Sequence, residues 1–381
     1  SRTGTSDHGP HGIKLGEGWM RQTKAGRVLV VNPGSTSTRV GWFKEGQQAS
    51  GATLPAPATG PGSDLWEEFP LRLSAVRDWL AKENLMLGDL AAVVGRGGLL
   101  RPVSGGAYSV NEAMLADARG SRRGKHASNL GCALARALAD EAERQSGEEV
   151  LALVVDPVST DEFEDVARIS GLREIPRISL SHALSIHAVV HRFCRRRDQP
   201  VEGTNFVVAH LGGGISVCPV SDGKIMDANN ANSGGPFSPT RAGGLPTQEL
   251  MALCFSGRFT QGELVEMTVK RGGLLSYLGT DDAKEIEKRI EAGDQEAALV
   301  YEAMAYQIAK EIGAMVTVLS GRVDKILLTG GLAASSLLTR WIEDRVGSLA
   351  PVEIWPEVEE MKALALGALR ALTGEKPPKE Y

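Results

Sequence analysis

At 381 residues the chain exceeds what one hydrophobic core usually serves, so its length predicts two domains. Hydrophobic residues make up 42% and charged residues 23%, the proportions of a folded globule rather than a disordered chain. The formal net charge of -5 offers no basic field to nucleic acid, and the one basic run, Arg195 to Arg197, reads as a helix end. Four cysteines, Cys132, Cys194, Cys218 and Cys254, lie far apart without a CxxC pair, which argues against a disulfide framework or a zinc knuckle. No stretch approaches the ~20 apolar residues of a membrane helix, so the expectation is a cytoplasmic protein without a membrane partner. Residues 1–26 are rich in Gly, Ser, Thr and His and lack a signal-peptide core; they read as a disordered leader or an expression remnant.

In chain order, Arg27 to Asn32 is a run of β-branched and apolar residues that predicts a buried strand, stopped by Pro33-Gly34-Ser35-Thr36-Ser37. Thr38 to Phe43 reads as a second strand, and Lys44-Glu45-Gly46 as a turn into a third. Helical spacing runs from Asp64 to Lys82. Leu90 to Val94 reads as a strand ending at Gly95-Arg96-Gly97-Gly98, Leu130, Leu134 and Leu138 mark a helix, and Val150 to Val155 is a strand delivering Asp156. The opening pattern then returns. Asn205 to His210 is a strand, Leu211 to Gly214 a turn, Ile215 to Val220 a strand, and Asp222-Gly223 a hairpin turn into Lys224 to Ala228. Asn32 and His210 fall at nearly corresponding places, which suggests an internal duplication. Helical segments follow, the longest from Glu296 to Ser320 with a core face of Ile308, Ile312, Met315, Val316 and Leu319. Lys325 to Thr329 is a strand, Gly330-Gly331 a turn, Ser335 to Val346 a helix and Glu359 to Leu372 a last helix. Strands alternating with helices, opened twice by antiparallel strands, predict two α/β domains facing a cleft.

A glycine- and hydroxyl-rich turn between buried strands lets the backbone approach a phosphate and turns successive N–H groups into an anion nest. Gly34-Ser35-Thr36 and Gly212-Gly213-Gly214 both qualify, and together could hold different phosphates of one nucleotide; taken singly, each is equally a hairpin turn. No GxxxxGK[ST] is present. Gly330-Gly331 suits either the underside of an adenosine or close helix–strand packing. Arg96 and Arg241 stand in Gly-rich loops, where a guanidinium can fork a carboxylate or phosphoryl group, unless they are ordinary surface arginines. Asp156 is aimed at a cleft or caps the turn after it. His187 and His191 fit ordinary helix positions, since no HExxH or metal spacing accompanies them. His182 starts that helix, where a side chain can enter a site, and His210 is either a site residue or a core histidine.

Val31-Asn-Pro-Gly-Ser-Thr-Ser-Thr38, His210-Leu-Gly-Gly-Gly-Ile-Ser216 and Gly235-Pro-Phe-Ser-Pro-Thr-Arg241 resemble the acetate and butyrate kinases, the acetokinase family of the sugar kinase, chaperone ATPase and actin superfamily, and within it the butyrate kinase branch. The likeness runs from about Arg27 to Leu372. It implies two duplicated actin-like, ribonuclease H-like βββαβαβα domains, residues 27–180 with 361–381 returning and residues 181–360, with ATP and Mg2+ in the cleft and assembly as a homodimer or larger homo-oligomer. By the same resemblance Arg96, Asp156, His182, His210 and Arg241 are catalytic. Asn32 lies near the phosphates and the metal, with Gly34, Ser35, Thr36, Gly212, Gly213, Gly214, Gly330 and Gly331 around the nucleotide. Glu359 is the acid associated with magnesium, Glu360 standing next to it.

A carboxylic acid is ionised at pH 7, its pKa being ~4–5 like that of a Glu side chain, so its phosphorylation asks for no general base. The expected reaction is therefore direct attack of butyrate on the γ-phosphoryl of ATP. The alternatives are an acetate, propionate or branched-acid kinase and, further off, a non-enzymatic ATP switch. A sugar kinase would ask for convergent Asp, Asn and Glu side chains around hydroxyls, and no such set stands out.

Overall fold

In the computed structural model, which describes residues 26–58, 64–356 and 360–381, the chain opens with the predicted meander: β1 (Arg27–Pro33), β2 (Ser37–Lys44) and β3 (Gln47–Pro55), paired antiparallel. The β2–β3 turn holds Glu45 and Gly46 at φ 50 and 77, the left-handed pair that matches the twist of a two-residue hairpin. After α1 (Glu68–Lys82), β4 (Ala92–Arg96) joins β1 in parallel. A short β5 (Ala107–Ser109), α2 (Glu112–Gly120) and α3 (Gly131–Ser146) precede β6 (Leu151–Val155), parallel to β4. The first sheet runs β3-β2-β1-β4-β6-β5.

The second half begins with α4 (Ala183–Arg196), then β7 (Asn205–Leu211), β8 (Ile215–Ser221) and β9 (Lys224–Ile225). Helices α5 (Thr247–Cys254), α6 (Gln261–Val269), α7 (Gly273–Leu278), α8 (Ala283–Glu291) and the long α9 (Gln295–Val318) lead to β10 (Lys325–Thr329), α10 (Ser336–Val346), β11 (Val352–Trp355) and α11 (Glu360–Leu372). This sheet runs β11-β10-β7-β8-β9. With the short edge strand β5, antiparallel to β6, set aside, both halves read from the meander inward in the order third, second, first, fourth, fifth strand, with the last three parallel: this is the duplicated α/β fold that the sequence predicts.

Three details depart from the sequence reading. β9 ends at Ile225 rather than Ala228, because the Asp227 carboxylate turns to pair with Arg177 and accepts the Ala228 N–H, which takes that backbone out of the ladder. The predicted helix from Asp64 starts as a 3-10 turn that Asp64 caps, α1 proper beginning at Glu68. The short β5, α2 and β11 have too few residues to show a period and were not foreseen. Of the leader read at 1–26, residues 1–25 lie outside the described residues, as does Glu359, while the Gly26 carbonyl accepts the Glu45 N–H at 2.9 Å.

Each sheet is covered on both faces. Leu73, Val76 and Leu80 of α1 and Leu134 and Leu138 of α3 cover one face of the first; α11 lies on the other, its Leu364, Ala365 and Ala368 against Val28, Val30 and Val155. The buried stripe of α11 is small, and a Cβ added to Gly367 would come within 2.5 Å of Val155, so the helix lies close to the strands. On the second sheet α9 and α10 pack one face and α4 the other. Close approach recurs where α3 starts. A Cβ on Gly95 would collide with the Gly131 carbonyl, and one on Gly131 with the carbonyl of Arg96. This backbone contact fixes the end of β4, hence Arg96. Replacing Gly95 with Ala is expected to destabilise the fold by at least ~1–3 kcal/mol through overpacking, read as a lower urea midpoint at unchanged slope.

Candidate active site

Parallel strands end together at one edge of each sheet, and the residues there converge on a crevice. Asn32 is the sixth residue of β1 and His210 the sixth of β7, so the duplication puts an amide and an imidazole at equivalent places. Arg96 ends β4, and Glu360 opens α11. The Glu360 carboxylate accepts from Arg96 Nη1 at 2.7 Å, Arg39 Nη2 at 2.5 Å and Asn32 Nδ2 at 3.2 Å. Burial alone would raise its pKa; Arg96 foremost, then Arg39 and Asn32, override that and hold it at about 2. The carboxylate is thus a fixed anion that orients Arg96. The Arg96 Nε remains buried without a partner among the described residues.

From the second half, His182 precedes α4 and its ring stacks on that of His210, with centroids 4.2 Å apart and planes 19° from parallel. His182 Nδ1 meets Ser216 Oγ at 2.9 Å, and His210 Nδ1 is buried without a partner among the described residues. Burial drives His182 well below the usual imidazole value, helped by His210, Arg241 and Arg96. Burial also lowers His210, to about 4, with Arg96 adding to the effect and Glu360 opposing it. Both rings are neutral at pH 7, each with one N–H to donate and one lone pair.

The guanidinium of Arg241 lies against Gly214, where a Cβ would strike it, and donates to the Ala231 carbonyl at 2.9 Å; burial lowers its pKa. Ser238 and Thr240 donate to the Gly213 carbonyl at 2.5 and 3.2 Å, tying the arginine loop to the glycine turn. Gly212 sits beside His210 Nε2, and Gly213 is exposed with open space around it. The first glycine turn is held from beneath by Arg72 of α1, fully buried, which donates to Gly34 O at 2.9 Å and Thr38 Oγ1 at 2.6 Å and pairs with Glu68. Ser35 and Thr36 are left exposed. Gly330 (φ 90) abuts the Leu211 backbone, so there the packing reason for glycine holds, while Gly331 has open space.

Asp156 follows β6 with φ 41 and is buried, but its hydrogen bonds do not join this cluster. Oδ1 accepts from Gly106 N–H at 2.7 Å and lies 3.0 Å from His187 Nδ1. His187 Nε2 reaches Glu162 Oε2 at 3.2 Å, and Glu162 also accepts the N–H groups of Gly105 and Ile225. Burial opposes charge on His187, yet Asp156 and Glu162 raise its pKa to about 10. The sequence reading gave His187 an ordinary helix place and passed over Glu162. Only the five-residue step from His182 to His187 and the acids at 161–162 hint at the network. Arg39, Arg72 and Ser216 also went unread, since the sequence does not signal which strand and helix polar groups turn inward. Glu359 is outside the described residues, so the carboxylate seen at the cluster is Glu360.

Residues 177–354 match the family model described as the acetokinase family. The chain is 49% identical over 357 residues, 93% of its length and 99% of the relative's, to the probable butyrate kinase 2 of Caldanaerobacter subterraneus subsp. tengcongensis. It is 42% identical over 358 residues, 93% of its length and 99% of the relative's, to butyrate kinase 2 of Clostridium acetobutylicum. Among solved structures, Porphyromonas gingivalis acetate kinase matches with a TM-score of 0.71 at 18% identity, covering 92% of this chain and all of that one.

The buried triad links stability to pH. Below about 6.5, where a free imidazole is also protonated, the His187 contribution is complete; it is lost as pH rises through about 10. The lowered Asp156 and Glu162 contribute at neutral pH and lose that contribution on acidification. His187→Gln leaves two buried carboxylates unpaired and is expected to cost ~3–5 kcal/mol at pH 7. Thermal melts should then show the variant gaining stability from pH 7 to 5 while the wild type does not, and matching slopes would rule this account out.

Proposed function

Because the chain belongs to the acetokinase family, we propose that it phosphorylates the carboxylate of a short fatty acid, butyrate + ATP giving butyryl phosphate + ADP, and that the cluster of Arg96, Arg241, His182 and His210 is its catalytic centre. The observation that carries the assignment is the convergence of two arginines and two neutral imidazoles on one crevice, with buried Arg96 Nε and His210 Nδ1 left without partners among the described residues. Unpaired polar atoms at a buried site ask for a ligand, since leaving them unmet costs ~1–3 kcal/mol each.

The reaction follows from charge. The acid enters as a carboxylate and its oxygen attacks the γ-phosphorus, so the chain must align two anions and spread the charge that gathers on the equatorial oxygens. Arg96, oriented by Glu360, and Arg241, fixed against Gly214, supply the cations; His182 and His210 donate N–H groups without adding charge to a buried place. The glycine turns at 34–36 and 212–214 offer backbone N–H groups to the phosphates, with Gly331 beside the nucleoside. Asp156 has a positioning part in this proposal, through His187 and α4.

Mg2+ suits the same place: the Asn32 amide and the Glu360 carboxylate lie 3.2 Å apart there, and this ion commonly needs only one or two protein groups besides water and phosphate. Asn32 and a carboxylate of the 359–360 pair would hold it. When bound, it neutralises phosphate charge and favours transfer. An enzyme that consumes ATP works in the cytoplasm by this proposal; among the described residues no helix is long and apolar enough to cross a membrane. The run Val166, Ile169, Leu172, Ile175 and Ile178, each more than half exposed, supports self-association as a homodimer. Ile169→Asp with Ile175→Asp should convert the sedimenting dimer to a monomer, whereas an unchanged mass would remove that surface from the interface.

Hydroxylamine trapping of acyl phosphate from acids between acetate and hexanoate, with isobutyrate and glycerol, tests the substrate. The expected turnover is highest on butyrate or isobutyrate and absent on glycerol; activity on acetate alone would overturn the chain-length assignment. Arg241→Ala and Arg96→Ala should each lower kcat ~10²- to 10³-fold. Near wild-type turnover in either would remove that arginine from the centre.

A further inference from the structure

Away from the cluster, a cavity of about 390 Å3 lies between α4, α11 and the β2–β3 turn. Its walls belong to different halves. α4 packs on the second sheet, with Ile186, Val190 and Phe193 against Phe206 and Val208, whereas α11 packs on the first. Apolar lining comes from Leu184, Ala188, Leu366 and Leu369, and cations come from both helices: Arg195 from α4, Lys362 and Arg370 from α11. Among the described residues none of these three cations has a hydrogen bond or an ion pair through its side chain. Of the two acids in the lining, Glu45 and Asp156, the second is already engaged by His187.

The like charges meet across the seam. Burial pushes the Arg370 guanidinium below its ordinary value and Arg195 adds to this, although Asp156 and Glu375 oppose it. His191, in the same lining, is driven to about 3 by burial, Arg370, Lys376 and His187, so it is neutral and able to hydrogen-bond. Cations held together in a partly apolar cavity repel more than they would in water, and a small anion removes that repulsion.

We propose that this cavity is a second anion site, distinct from the catalytic cleft, that takes a small organic anion with a phosphate-type head and a short apolar body and thereby draws the two halves together. The head lies between Arg195, Lys362 and Arg370, and the apolar body against Leu366 and Leu369. The site is linked to the cleft by the chain itself. α4 follows directly on His182 and α11 opens with Glu360, so an anion joining the far parts of these helices bears on the spacing of His182 and Glu360. A ligand shifts such an equilibrium only by its preference for the closed arrangement, and bridging cations from both halves supplies that preference. The effect on catalysis rests on the kinase reading above; the binding does not.

Titration calorimetry with propylphosphonate tests the site on the whole chain. In the presence of saturating non-hydrolysable ATP analogue and butyrate, the wild type is expected to bind one equivalent. Arg195→Ala with Lys362→Ala, which disturbs no side-chain hydrogen bond among the described residues, should weaken that binding at least tenfold at a melting temperature no lower than that of the wild type. Inorganic phosphate should bind more weakly than propylphosphonate; equal affinity would overturn the part given to the apolar wall. If the chain proves inactive on every acid, the loss of binding in the double variant still reads out the cavity. Where activity is present, kcat at saturating substrates should change twofold or more on adding propylphosphonate, in the wild type and not in the variant. The absence of a wild-type site, or equal affinity in the variant, would overturn the proposal.

Discussion

The carboxylate of Glu360 is the tie on which the first half of the site depends. It sits where α11 begins and gathers Arg96 from β4, Arg39 from β2 and Asn32 from β1, so one anion fixes three strand ends. Its partners do not contribute equally. Arg39 is half exposed and its pair is worth at most ~0–1 kcal/mol, whereas Arg96 is mostly buried and its guanidinium is aligned by the contact. The helix start adds its own preference for negative charge. The small residues of α11 are what permit this, because only a helix with Ala and Gly on its buried stripe lies close enough to the sheet to bring Glu360 to the strand ends.

The duplication explains how the second half completes the place and why it uses different chemistry. Equivalent positions on β1 and β7 carry Asn32 and His210; equivalent strand ends on β4 and β10 carry Arg96 and Thr329, the latter buried and donating to the Trp355 carbonyl. The first half therefore brings fixed charge. The second brings neutral rings and an arginine fixed against a glycine turn. Two protonated imidazoles stacked at 4.2 Å beside Arg96 and Arg241 would be strongly unfavourable, and burial keeps them neutral. Neutral donors beside fixed cations suit a transferring group whose charge gathers on its oxygens.

Much of this was legible because it is local. The buried runs at 27–32 and 205–210, the glycine turns after them and the recurrence of the pattern 178 positions on gave the two-sheet plan, and α9 announced its buried face by spacing alone. Arg96, Arg241, His182 and His210 were readable as site candidates from the loops and ends they occupy, and the structure brings all four together with Asn32. What stayed hidden depends on distance in sequence. The hold of Arg72 on the first glycine turn spans 38 positions and that of Arg96 on Glu360 spans 264, and neither partner carries a local mark. Asp156 shows the limit from the other side: its place after β6 was legible, its engagement by His187 was not. The short β5 and β11 fall below any period.

That engagement also gives the seam its character. Asp156 follows a strand of the first sheet, and His187 lies on the helix that packs on the second, so their ion pair crosses between halves within a few residues of His182. With both partners buried, the pair fixes how α4 stands against the first sheet, and its raised imidazole and lowered carboxylates keep it charged through the neutral range. The same charge satisfies Asp156 and leaves Arg370 and Arg195 across the neighbouring cavity without that acid as a full counterion. One buried pair thus holds the halves together at the root of α4, while Arg195 further along the same helix and Arg370 of α11, without side-chain partners among the described residues, repel each other across it. A seam balanced in this way responds to charge placed between its two helices.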